Sequence, residues 1–585
     1  MRIAFLRIKN FRGIKEAELL LPENVVFVGD GNVGKSTIFE AIDLVMGPER
    51  LFRKPVVDEH DFYAGQYHGK TGDGIEIKIE VVVIDLSEEQ ERRFVNHLEW
   101  WDYSSSALIE NPTAEDTNKE HVVPALRVGF SGSYDYEEDD FTGSTFFLYP
   151  KRDDDNVNFF TTADKRVCGF LYLRTMRTGA RALSLERGSL LDIILRLKEK
   201  RPQMWEDVLK ELRKLPVAES EELGISKILS TVQEAVRSFV PIDCGDKPHI
   251  RVSDLTREHL RKSLTVFMGT GAKTDDGFEY SAPFQHQGTG TINTLVLALL
   301  SLIAAEKQNV IFAMEEPEIS IPPHTQKRII NSIRDKSSQA LFSSHSPYVL
   351  EEFHPSKIIV LKREDGVLSG VSAEYPSLIK PKAYKDTLRK RCEALLARRV
   401  LITEGKTEYS AFYAAARRLN ELHPEQFSSL EALGIAVIDA ETETQIAPIG
   451  EYFKKLNKVV FAIFDKQSLE EKAKIVHSVP HPFESSEKGF ENLIVNGSKE
   501  SALKRFAKQI VDEGSWPTHL VQEKPNDQTS LENLRIGLAK YFKHKKGDGA
   551  AAEFLFQCSK DEMPTFVLDT LEAIQKVIIG EKKRQ

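Results

Sequence analysis

The chain has 585 residues, a net charge of -10 and an ordinary globular composition with 41% hydrophobic residues. This length is too great for one hydrophobic core and predicts about three to four domains. The acidic balance argues against a uniformly basic nucleic-acid coat but is compatible with a local basic groove. Four scattered cysteines indicate a reducing compartment, and the longest apolar stretch, 294–305, is too short to span a bilayer. We therefore expect a cytoplasmic protein that makes no contact with a membrane.

Three strands and a glycine-rich loop are predicted at the start of the chain. Strand-like alternation covers 3–8 and 17–21, with a turn at Asn10-Phe11-Arg12-Gly13 between them. An apolar strand at 24–28 leads into Gly29-Asp30-Gly31-Asn32-Val33-Gly34-Lys35-Ser36, and helical spacing follows over 37–46. Strand, glycine loop and helix in this order form the context in which G-x-x-x-x-G-K-S binds a nucleotide.

The glycine loop predicts an ATP site. Its backbone N–H groups can converge on phosphate oxygens, and the following helix adds its positive N-terminal end. Lys35 is expected to reach the β- and γ-phosphates, and Ser36 is expected to bind Mg²⁺ through its hydroxyl. The predicted nucleotide-binding residues are Gly29, Asn32, Gly34, Lys35, Ser36, Thr37 and, from a later strand, Glu315.

The middle of the chain changes from strands to helices. A β-rich run at 75–86 and an acidic, aromatic stretch at 111–156 are typical of extended strands joined by mobile loops. Between 190 and 239 the apolar residues recur at helical spacing, which predicts a helical insertion. A cover over the sheet and a dimer interface are both compatible with this insertion.

Strands and helices alternate again after Gly288-Thr289-Gly290, which predicts an α/β layer. Helices are expected at 293–305 and 324–333, with a strand at 309–314 between them. A further apolar strand is expected to end at Ser343-Ser344-His345.

Acidic residues and a histidine follow these strands. Glu315 is placed to contact the Mg²⁺ shell, and Glu316 to orient or activate water. His345 suits a sensor of the γ-phosphate, although a lone histidine is more often structural. Acids at strand ends are often only solvated, but this explanation weakens in a chain that also has a complete glycine loop.

A second α/β unit is predicted after a linker at 375–381 and a helix at 385–397. Its strands are expected at 400–403, 436–438 and 459–464, alternating with helices. Glu404 and Glu408 are four residues apart at a strand-to-helix turn, so both carboxylates can face one side of the first turn.

Further charged residues follow in this second unit. Asp465 ends another apolar strand, the segment 483–491 adds three glutamates, and Lys543-His544-Lys545-Lys546-Gly547 supplies cations. Taken singly, each signal is equally typical of a solvated surface. Acids from several strand ends together with a lysine, however, are what metal-assisted phosphodiester cleavage requires, with Mg²⁺ or Mn²⁺ held by oxygen ligands.

The first set of motifs resembles the ATPase head of the ABC, SMC and Rad50-like superfamily. Asn10-Phe11-Arg12-Gly13 matches its opening turn, Glu315-Glu316-Pro317-Glu318 its Walker B segment and His345 its switch histidine. Where this superfamily has Ser-Gly-Gly-Gln, the chain has Gln285-His286-Gln287-Gly288-Thr289-Gly290-Thr291. Either Gln287-Gly288 or Thr289-Gly290 would take the Ser-Gly role. No long heptad arm is present, so the chain is not a full SMC or Rad50 protein.

The second set resembles a Toprim domain, the module shared by topoisomerases and primases. Glu404-Gly405 matches its acidic turn and Asp465 its later strand-end acid. Toprim domains have Asp-x-Asp at the later position, whereas this chain has Asp465-Lys466-Gln467. The resemblance therefore implies that Glu484 or Glu491 completes the metal shell, and we favour Glu491.

The whole chain resembles the OLD (overcoming lysogenization defect) family of endonucleases, in which an ATPase head precedes a Toprim domain. Leu171-Tyr172-Leu173-Arg174, the segment from Leu183 to Ser189 and Lys546-Gly547 contribute to this resemblance. It implies an α/β fold in which an ABC/SMC-type head with a helical insertion precedes a Rossmann-like Toprim domain. The implied domains are an ATPase N-terminal lobe at 1–165, a helical insertion for dimerisation at 166–262, an ATPase C-terminal lobe at 263–375, a linker helix at 376–398 and a Toprim nuclease domain at 399–585.

By this resemblance the chain is an ATP-regulated, metal-dependent DNA endonuclease of anti-phage defence. DNA, a second copy of the chain and a partner of the defence system are the expected partners. The alternatives are an ATP-switched DNA-binding or repair ATPase with a degenerate Toprim domain, and a nuclease that acts on RNA. The implied catalytic residues are Glu316, His345 and Lys546, and the implied metal ligands are Glu404, Glu408, Asp465, Glu491 and Ser36.

Overall fold

The computed structural model describes most of the chain. Contacts group it into two compact units, Met1–Ala4 with Phe39–Asp58 and Ile79–Phe342, and Phe5–Ile38 with Glu59–Lys78 and Ser343–Gln585. Arg174 and most of the segment from 183 to 189, which carried part of the family resemblance, lie outside the described residues. The described ranges are 1–48, 50, 56–69, 74–150, 158–173, 185, 189–197, 201–214, 225–237, 256–306, 310–319, 321–376, 381–526 and 528–582.

The first unit contains antiparallel strands and a parallel pair. Val122–Asp135 pairs antiparallel with Leu98–Asp102 on one side and with Asp140–Phe147 on the other. Ile311–Glu315 is entirely buried and pairs parallel with Phe170–Leu173. Its other strands are most of Ile77–Ile84, Ala107–Leu108, Phe267–Lys273, Glu279–Pro283 and Gln339–Ser343.

Some helices of the first unit lie at predicted positions, and four short ones, which begin at Glu88, Ala114, Thr162 and Arg257, were not predicted. The helices Leu190–Leu197, Arg201–Lys214 and Ile225–Arg237 occupy the predicted insertion, while 238–255 lie outside the described residues. Leu190 and Trp205 are buried. The remaining helices of the unit are Glu88–Arg93, Ala114–Thr117, Thr162–Cys168, Arg257–Ser263, Thr289–Glu306 and Pro323–Lys336.

The second unit begins with a sheet that supports the glycine loop. Arg2–Phe11 pairs antiparallel with Ile14–Leu20, and Val367–Ser372 joins the latter in parallel. Ile358–Glu364 lies between Val367–Ser372 and the loop strand Asn24–Val28, antiparallel to the first and parallel to the second. The hairpin of 358–372 was not predicted from the sequence, although its Asp365-Gly366 turn, with positive φ at both residues, is a strong hairpin signal.

The second unit also contains a four-stranded parallel sheet. Its order is Ile435–Asp439, Arg399–Thr403, Val459–Phe464 and His481–Glu484. The first three strands were predicted, and the fourth, which contains Pro482, was not. The helices of this unit are Pro347–Leu350, Pro381–Leu396, Lys406–Leu422, Glu443–Lys455, Leu469–Ser478, Phe490–Gly497, Glu500–Asp512, Leu531–His544, Ala550–Gln557 and Thr565–Lys582, and the helix Lys35–Met46 begins here and continues into the first unit.

The core of the parallel sheet explains which face each helix buries. In Lys406–Leu422, Phe412, Ala415, Ala416 and Leu419 recur at helical spacing and are almost fully buried against the strands. The same helix therefore presents its first turn, which carries Glu408, at the end of Arg399–Thr403. No helix among the described residues is long and apolar enough to cross a membrane.

One lysine is buried at the end of the helix that follows the glycine loop. Lys165 has no exposed surface, and its ammonium donates to the carbonyl oxygen of Leu44 at 3.2 Å. Leu44 lies in the last turn of Lys35–Met46, where carbonyl groups lack intrahelical donors and attract a positive charge. Burial lowers the pKa of Lys165 to about 7, and Asp43 opposes this effect.

We expect Lys165 to make stability pH-dependent in alkaline solution. Its pKa is lower in the folded state than in the unfolded chain, so the unfolded state binds more protons above about pH 7. The free energy of unfolding should therefore rise with pH by on the order of 1 kcal/mol per unit between pH 7 and 9. Thermal melts of Lys165→Met should lose this increment, whereas Lys210→Met, at an exposed helical position, should keep it. If Tm changed with pH in the same way in wild type and in Lys165→Met, the lowered pKa of Lys165 would be contradicted.

Candidate functional site

The glycine loop has the backbone that a phosphate site requires. Gly34 has φ +122° and Asn32 has φ 63°, so the chain turns through conformations that most side chains avoid. A Cβ on Gly29 would lie 2.9 Å from the carbonyl oxygen of Leu361. The ammonium of Lys35 donates to the carbonyl oxygens of Gly29 at 2.8 Å and of Asp30 at 3.0 Å. Ser36 and Thr37 follow in the first turn of the helix.

His345 lies near this loop in the same unit. The N–H of Ser344 donates to the carbonyl oxygen of Phe27 at 3.3 Å, which places the predicted sensor segment beside the strand that enters the loop. His345 itself is exposed.

Glu315 and Glu316 belong to the other compact unit. Glu315 is buried at the end of Ile311–Glu315, and the hydroxyl of Tyr172 donates to its carboxylate. Tyr172 lies on the strand paired in parallel with it. Glu316 has φ 45°, an uncommon conformation for a residue with a side chain, and it turns the chain away from the strand. Strain of this kind is frequent at functional positions.

The carboxyl edge of the parallel sheet gathers the predicted metal ligands. Arg399–Thr403 and Val459–Phe464 are neighbours, and Thr403 is opposite Ile463, so Glu404 and Asp465 follow adjacent strand ends. The backbone N–H of Asp465 donates to Oε2 of Glu404 at 3.0 Å. Ligands of open α/β sheets bind at this edge because the strand ends and the following helices meet there.

Glu408 faces the same edge from the first turn of its helix. Its side chain is almost fully buried, and its Oε2 has no hydrogen-bond partner. Burial, with the negative charges of Asp465, Glu404 and Glu491, raises the pKa of Glu408 to about 7. The strand-to-helix turn thus holds a carboxylate where ionisation is unfavourable without a cation.

Asp465, Glu491 and Lys546 complete the cluster. Oδ2 of Asp465 accepts the N–H of Gly489 at 2.7 Å, which brings the start of Phe490–Gly497 to the strand end. Burial and the charges of Glu404 and Glu491 raise the pKa of Asp465 to about 6, against the effect of Lys546. The ammonium of Lys546 lies 3.7 Å from Oε1 of Glu491. Five residues chosen from the sequence therefore lie together, while Ser36 belongs to the glycine loop.

Comparison with protein-family models assigns both parts of the chain. Residues 1–157 and 182–350 match the AAA ATPase domain, and residues 395–466 match the Toprim domain of proteins like the overcoming lysogenization defect protein. The ATPase match covers more than half of the 585 residues. The chain belongs to the AAA ATPase domain family and carries an OLD-like Toprim domain.

Three relatives of the chain are named as nucleases or as an endonuclease. The Old nuclease of Escherichia phage P2 is 23% identical over 454 residues, covering 72% of this chain and 71% of the relative. The OLD nuclease of Thermus scotoductus is 24% identical over 502 residues, covering 79% and 81%. Endonuclease GajA of Bacillus cereus is 21% identical over 441 residues, covering 73% and 69%. The predicted OLD-type architecture is confirmed, and these relatives support an enzyme with ATPase and endonuclease activities.

The acids of the OLD-like Toprim domain fit a divalent cation in chemistry but are not fully converged. Among the described residues, no three His, Cys, Asp or Glu side chains already form a metal site. Oε2 of Glu408 and Oε1 of Glu491 are nevertheless buried without a hydrogen-bond partner. Carboxylate oxygens are the ligands that Mg²⁺ and Mn²⁺ prefer. Toprim and ATPase domains imply the use of a divalent metal and a nucleotide, and the chemistry of these carboxylates fits such a metal.

Two residues at the edge were not selected from the sequence. Asp439 ends the strand beside Arg399–Thr403, and its fully buried carboxylate pairs with the ammonium of Lys390 at 2.8 Å. Gln467 donates from its side-chain amide to Oε2 of Glu404 at 3.2 Å. Glu484, the alternative ligand, pairs with Lys472 instead. The sequence could have indicated Asp439, because it is an acid at the end of a predicted strand. No feature of the sequence indicated the contact of Gln467 with Glu404.

We expect Glu408→Gln to stabilise the metal-free protein and to weaken its response to metal. At pH 8 the change removes a buried carboxylate that faces three others, and relief of about 1 kcal/mol would raise Tm by about 2–4 °C. Added Mn²⁺ should raise the Tm of wild type more than that of the variant. Glu425→Gln, at an exposed position, is the matched control and should change neither value. A metal-free Tm below that of wild type would contradict the electrostatic account.

Proposed function

We propose that the chain is an ATP-regulated, divalent-metal-dependent DNA endonuclease that acts in the cytoplasm in anti-phage defence. The observation that carries the proposal is the cluster of Glu404, Glu408, Asp465 and Glu491 with Lys546 at one sheet edge. The names of its relatives, an Old nuclease, an OLD nuclease and endonuclease GajA, support nucleic-acid cleavage. DNA and a second copy of the chain are the proposed partners, together with a further component of a defence system.

The cluster can perform the steps of phosphodiester hydrolysis. Glu404, Glu408, Asp465 and Glu491 would hold Mg²⁺ or Mn²⁺, which when bound lowers the pKa of water and polarises the phosphate. Lys546 has a largely exposed side chain, so its ammonium can approach a phosphate oxygen while it remains beside Glu491. There it would neutralise the charge that develops in the transition state.

Lys35 is the cation of the proposed nucleotide site. Lys35 donates to two carbonyl oxygens of its own loop, and the β- and γ-phosphates would replace these acceptors. Gly29, Asn32, Gly34, Ser36 and Thr37 would then surround the phosphates. The roles of Glu315 at Mg²⁺, of Glu316 towards water and of His345 at the γ-phosphate stay predictions.

We expect purified protein to nick or linearise supercoiled plasmid with Mg²⁺ or Mn²⁺. Glu404→Ala and Lys546→Ala should each reduce the rate by about 10²-fold or more, because the first removes a metal ligand and the second removes the ammonium that would neutralise charge on the reacting phosphate. Lys508→Ala, an exposed lysine on a neighbouring helix, should cleave like wild type. Lys35→Ala should lose ATP hydrolysis.

The same assay separates the alternatives. Plasmid and linear DNA left intact while RNA is cleaved would favour the RNA-directed nuclease. ATP-dependent DNA binding without cleavage under any metal and nucleotide condition would favour the DNA-binding ATPase, for which the amide at Gln467 is the supporting feature.

Regulation by ATP has a physical route within the second unit. The carboxylate of Asp30, inside the glycine loop, forms an ion pair with Arg398 at 2.9 Å. Arg398 immediately precedes Arg399–Thr403, the strand that ends at Glu404. Lys458 immediately precedes Val459–Phe464, the strand that ends at Asp465, and Asp30 opposes the burial that lowers the pKa of Lys458 to about 8.

The two strands therefore begin beside the glycine loop and end at the predicted metal ligands. Lys458 also donates to the carbonyl oxygens of Leu395 and Ala397, so its ammonium anchors the end of the linker helix. Phosphates that bind in the loop would add negative charge near Asp30. They would also draw the ammonium of Lys35 away from the carbonyl oxygens of Gly29 and Asp30. A change in the Asp30–Arg398 pair would then reach both acids through rigid strands.

We expect Arg398→Gln to uncouple the nuclease from ATP. The ratio of plasmid cleavage with ATP to cleavage without ATP should move towards one by about five-fold or more, the scale of ordinary coupling energies. Cleavage without nucleotide should stay close to wild type. Arg417→Gln, which removes another exposed arginine of the same unit, should retain the full effect of ATP. An unchanged ratio in Arg398→Gln, with ATP still bound, would eliminate this route.

A further inference from the structure

Gln467 occupies the position at which Toprim domains have a second acid. It lies two residues after Asp465, in the loop that leaves Val459–Phe464, and it is half-buried. Its side-chain N–H donates to Oε2 of Glu404 at 3.2 Å. The residue therefore contributes a hydrogen-bond donor where an acid would contribute a negative charge.

The oxygen that Gln467 contacts is already in use. Oε2 of Glu404 accepts the backbone N–H of Asp465 at 3.0 Å in addition to the amide of Gln467. Each carboxylate oxygen offers about two acceptor sites. Both sites of this oxygen are thus taken by N–H groups, and a cation directed at it would meet two positive dipole ends.

Gln467 is fixed from its other side. Its backbone N–H donates to Oε1 of Glu484 at 3.1 Å, and Oε2 of Glu484 pairs with the ammonium of Lys472. Glu484 is consequently occupied by a lysine and a backbone donor. It is poorly placed to supply the negative charge that Gln467 lacks.

Two other carboxylate oxygens of the cluster have no hydrogen-bond donor. Oε2 of Glu408 and Oε1 of Glu491 are buried and lack hydrogen-bond partners. Lys546 approaches Oε1 of Glu491 at 3.7 Å, which is beyond hydrogen-bond distance. These two oxygens are therefore open to a cation, whereas Oε2 of Glu404 already accepts two N–H groups.

We propose that Gln467 restricts the Toprim site to one divalent cation by occupying, with its amide donor, the oxygen of Glu404 that a second cation would need. This inference rests on the proposed metal-dependent nuclease. In two-metal sites one cation stabilises the attacking oxygen and the other the leaving oxygen. With one cation, the second positive charge near the phosphate comes from Lys546. Gln467 is a positioning residue in this arrangement because it acts through Glu404.

The test counts Mn²⁺ bound to the nucleotide-free, 585-residue chain by isothermal titration calorimetry and by the electron paramagnetic resonance signal of free Mn²⁺. Wild type should bind one Mn²⁺ per chain at the Toprim site, and Glu404→Ala should lose it. Gln467→Glu should bind a second Mn²⁺, because it replaces the donor with a carboxylate. Gln467→Met removes the donor without adding charge, so it frees one acceptor site on Glu404 and should bind a second Mn²⁺ more weakly than Gln467→Glu does. Gln522→Glu makes the same charge change as Gln467→Glu at an exposed position and should bind one Mn²⁺, like wild type.

The outcomes distinguish this inference from the proposed function. Two Mn²⁺ that depend on Glu404 in wild type would overturn the role of Gln467 and leave the metal-dependent nuclease intact. A single Mn²⁺ in a folded Gln467→Glu would also overturn it. Absence of any Mn²⁺ that depends on Glu404 in wild type would instead refute the proposed function. The wild-type count keeps the inference testable even if Gln467→Glu fails to fold.

Discussion

The architecture depends on the parallel pairing of Arg399–Thr403 with Val459–Phe464. Both strands are buried, so their register is fixed by packing, and the chain leaves both at the same edge. Glu404 and Asp465 are therefore brought together by hydrophobic burial and backbone hydrogen bonds, although their charges repel. The hydrogen bond from the N–H of Asp465 to Glu404 offsets part of that repulsion. The repulsion that remains between the two carboxylates favours the binding of a cation.

The opposite edge of the same strands carries the contacts on which the proposed regulation by ATP depends. Arg398 and Lys458, which precede the two strands, respond to the charge of Asp30 in the glycine loop. An exposed ion pair such as Asp30–Arg398 contributes little stability in water, which makes it suitable for exchange when phosphates arrive. Paired parallel strands deform little along their length. In the proposed regulation, a small displacement at one end would therefore reach the acids at the other end without rearrangement of the domain.

The strands that lead into the candidate site residues were predicted from the sequence more accurately than the elements around them. Asn24–Val28 and Val459–Phe464 have the predicted bounds, because continuous apolar runs bounded by polar residues are a strong signal. His481–Glu484 is short and contains Pro482, so it gives almost no periodic signal. The domain boundaries proposed from the sequence stay predictions.

Contacts of individual polar side chains were less accessible to sequence analysis. Asp439 and its partner Lys390 are separated by 49 residues, and only the packing of the linker helix against the sheet brings them together. The choice of Glu491 over Glu484 rested on family resemblance, whereas the structure supplies a cause: Lys472 pairs with Glu484. Gln467 looked like a missing acid, and its contact with Glu404 depends on a rotamer that no pattern encodes.

The four strand ends divide into an outer and an inner pair, and this division concentrates charge at the centre. The outer acids, Asp439 and Glu484, are each paired with a lysine of an adjacent helix, Lys390 and Lys472. The inner acids have two more carboxylates for neighbours and Lys546 as the nearby ammonium. Neutralised outer acids attract a cation weakly, whereas the inner cluster retains an excess of negative charge in a partly buried environment, where it is screened least. In the proposed site the outer lysines would thus favour a cation at the centre without contacting it.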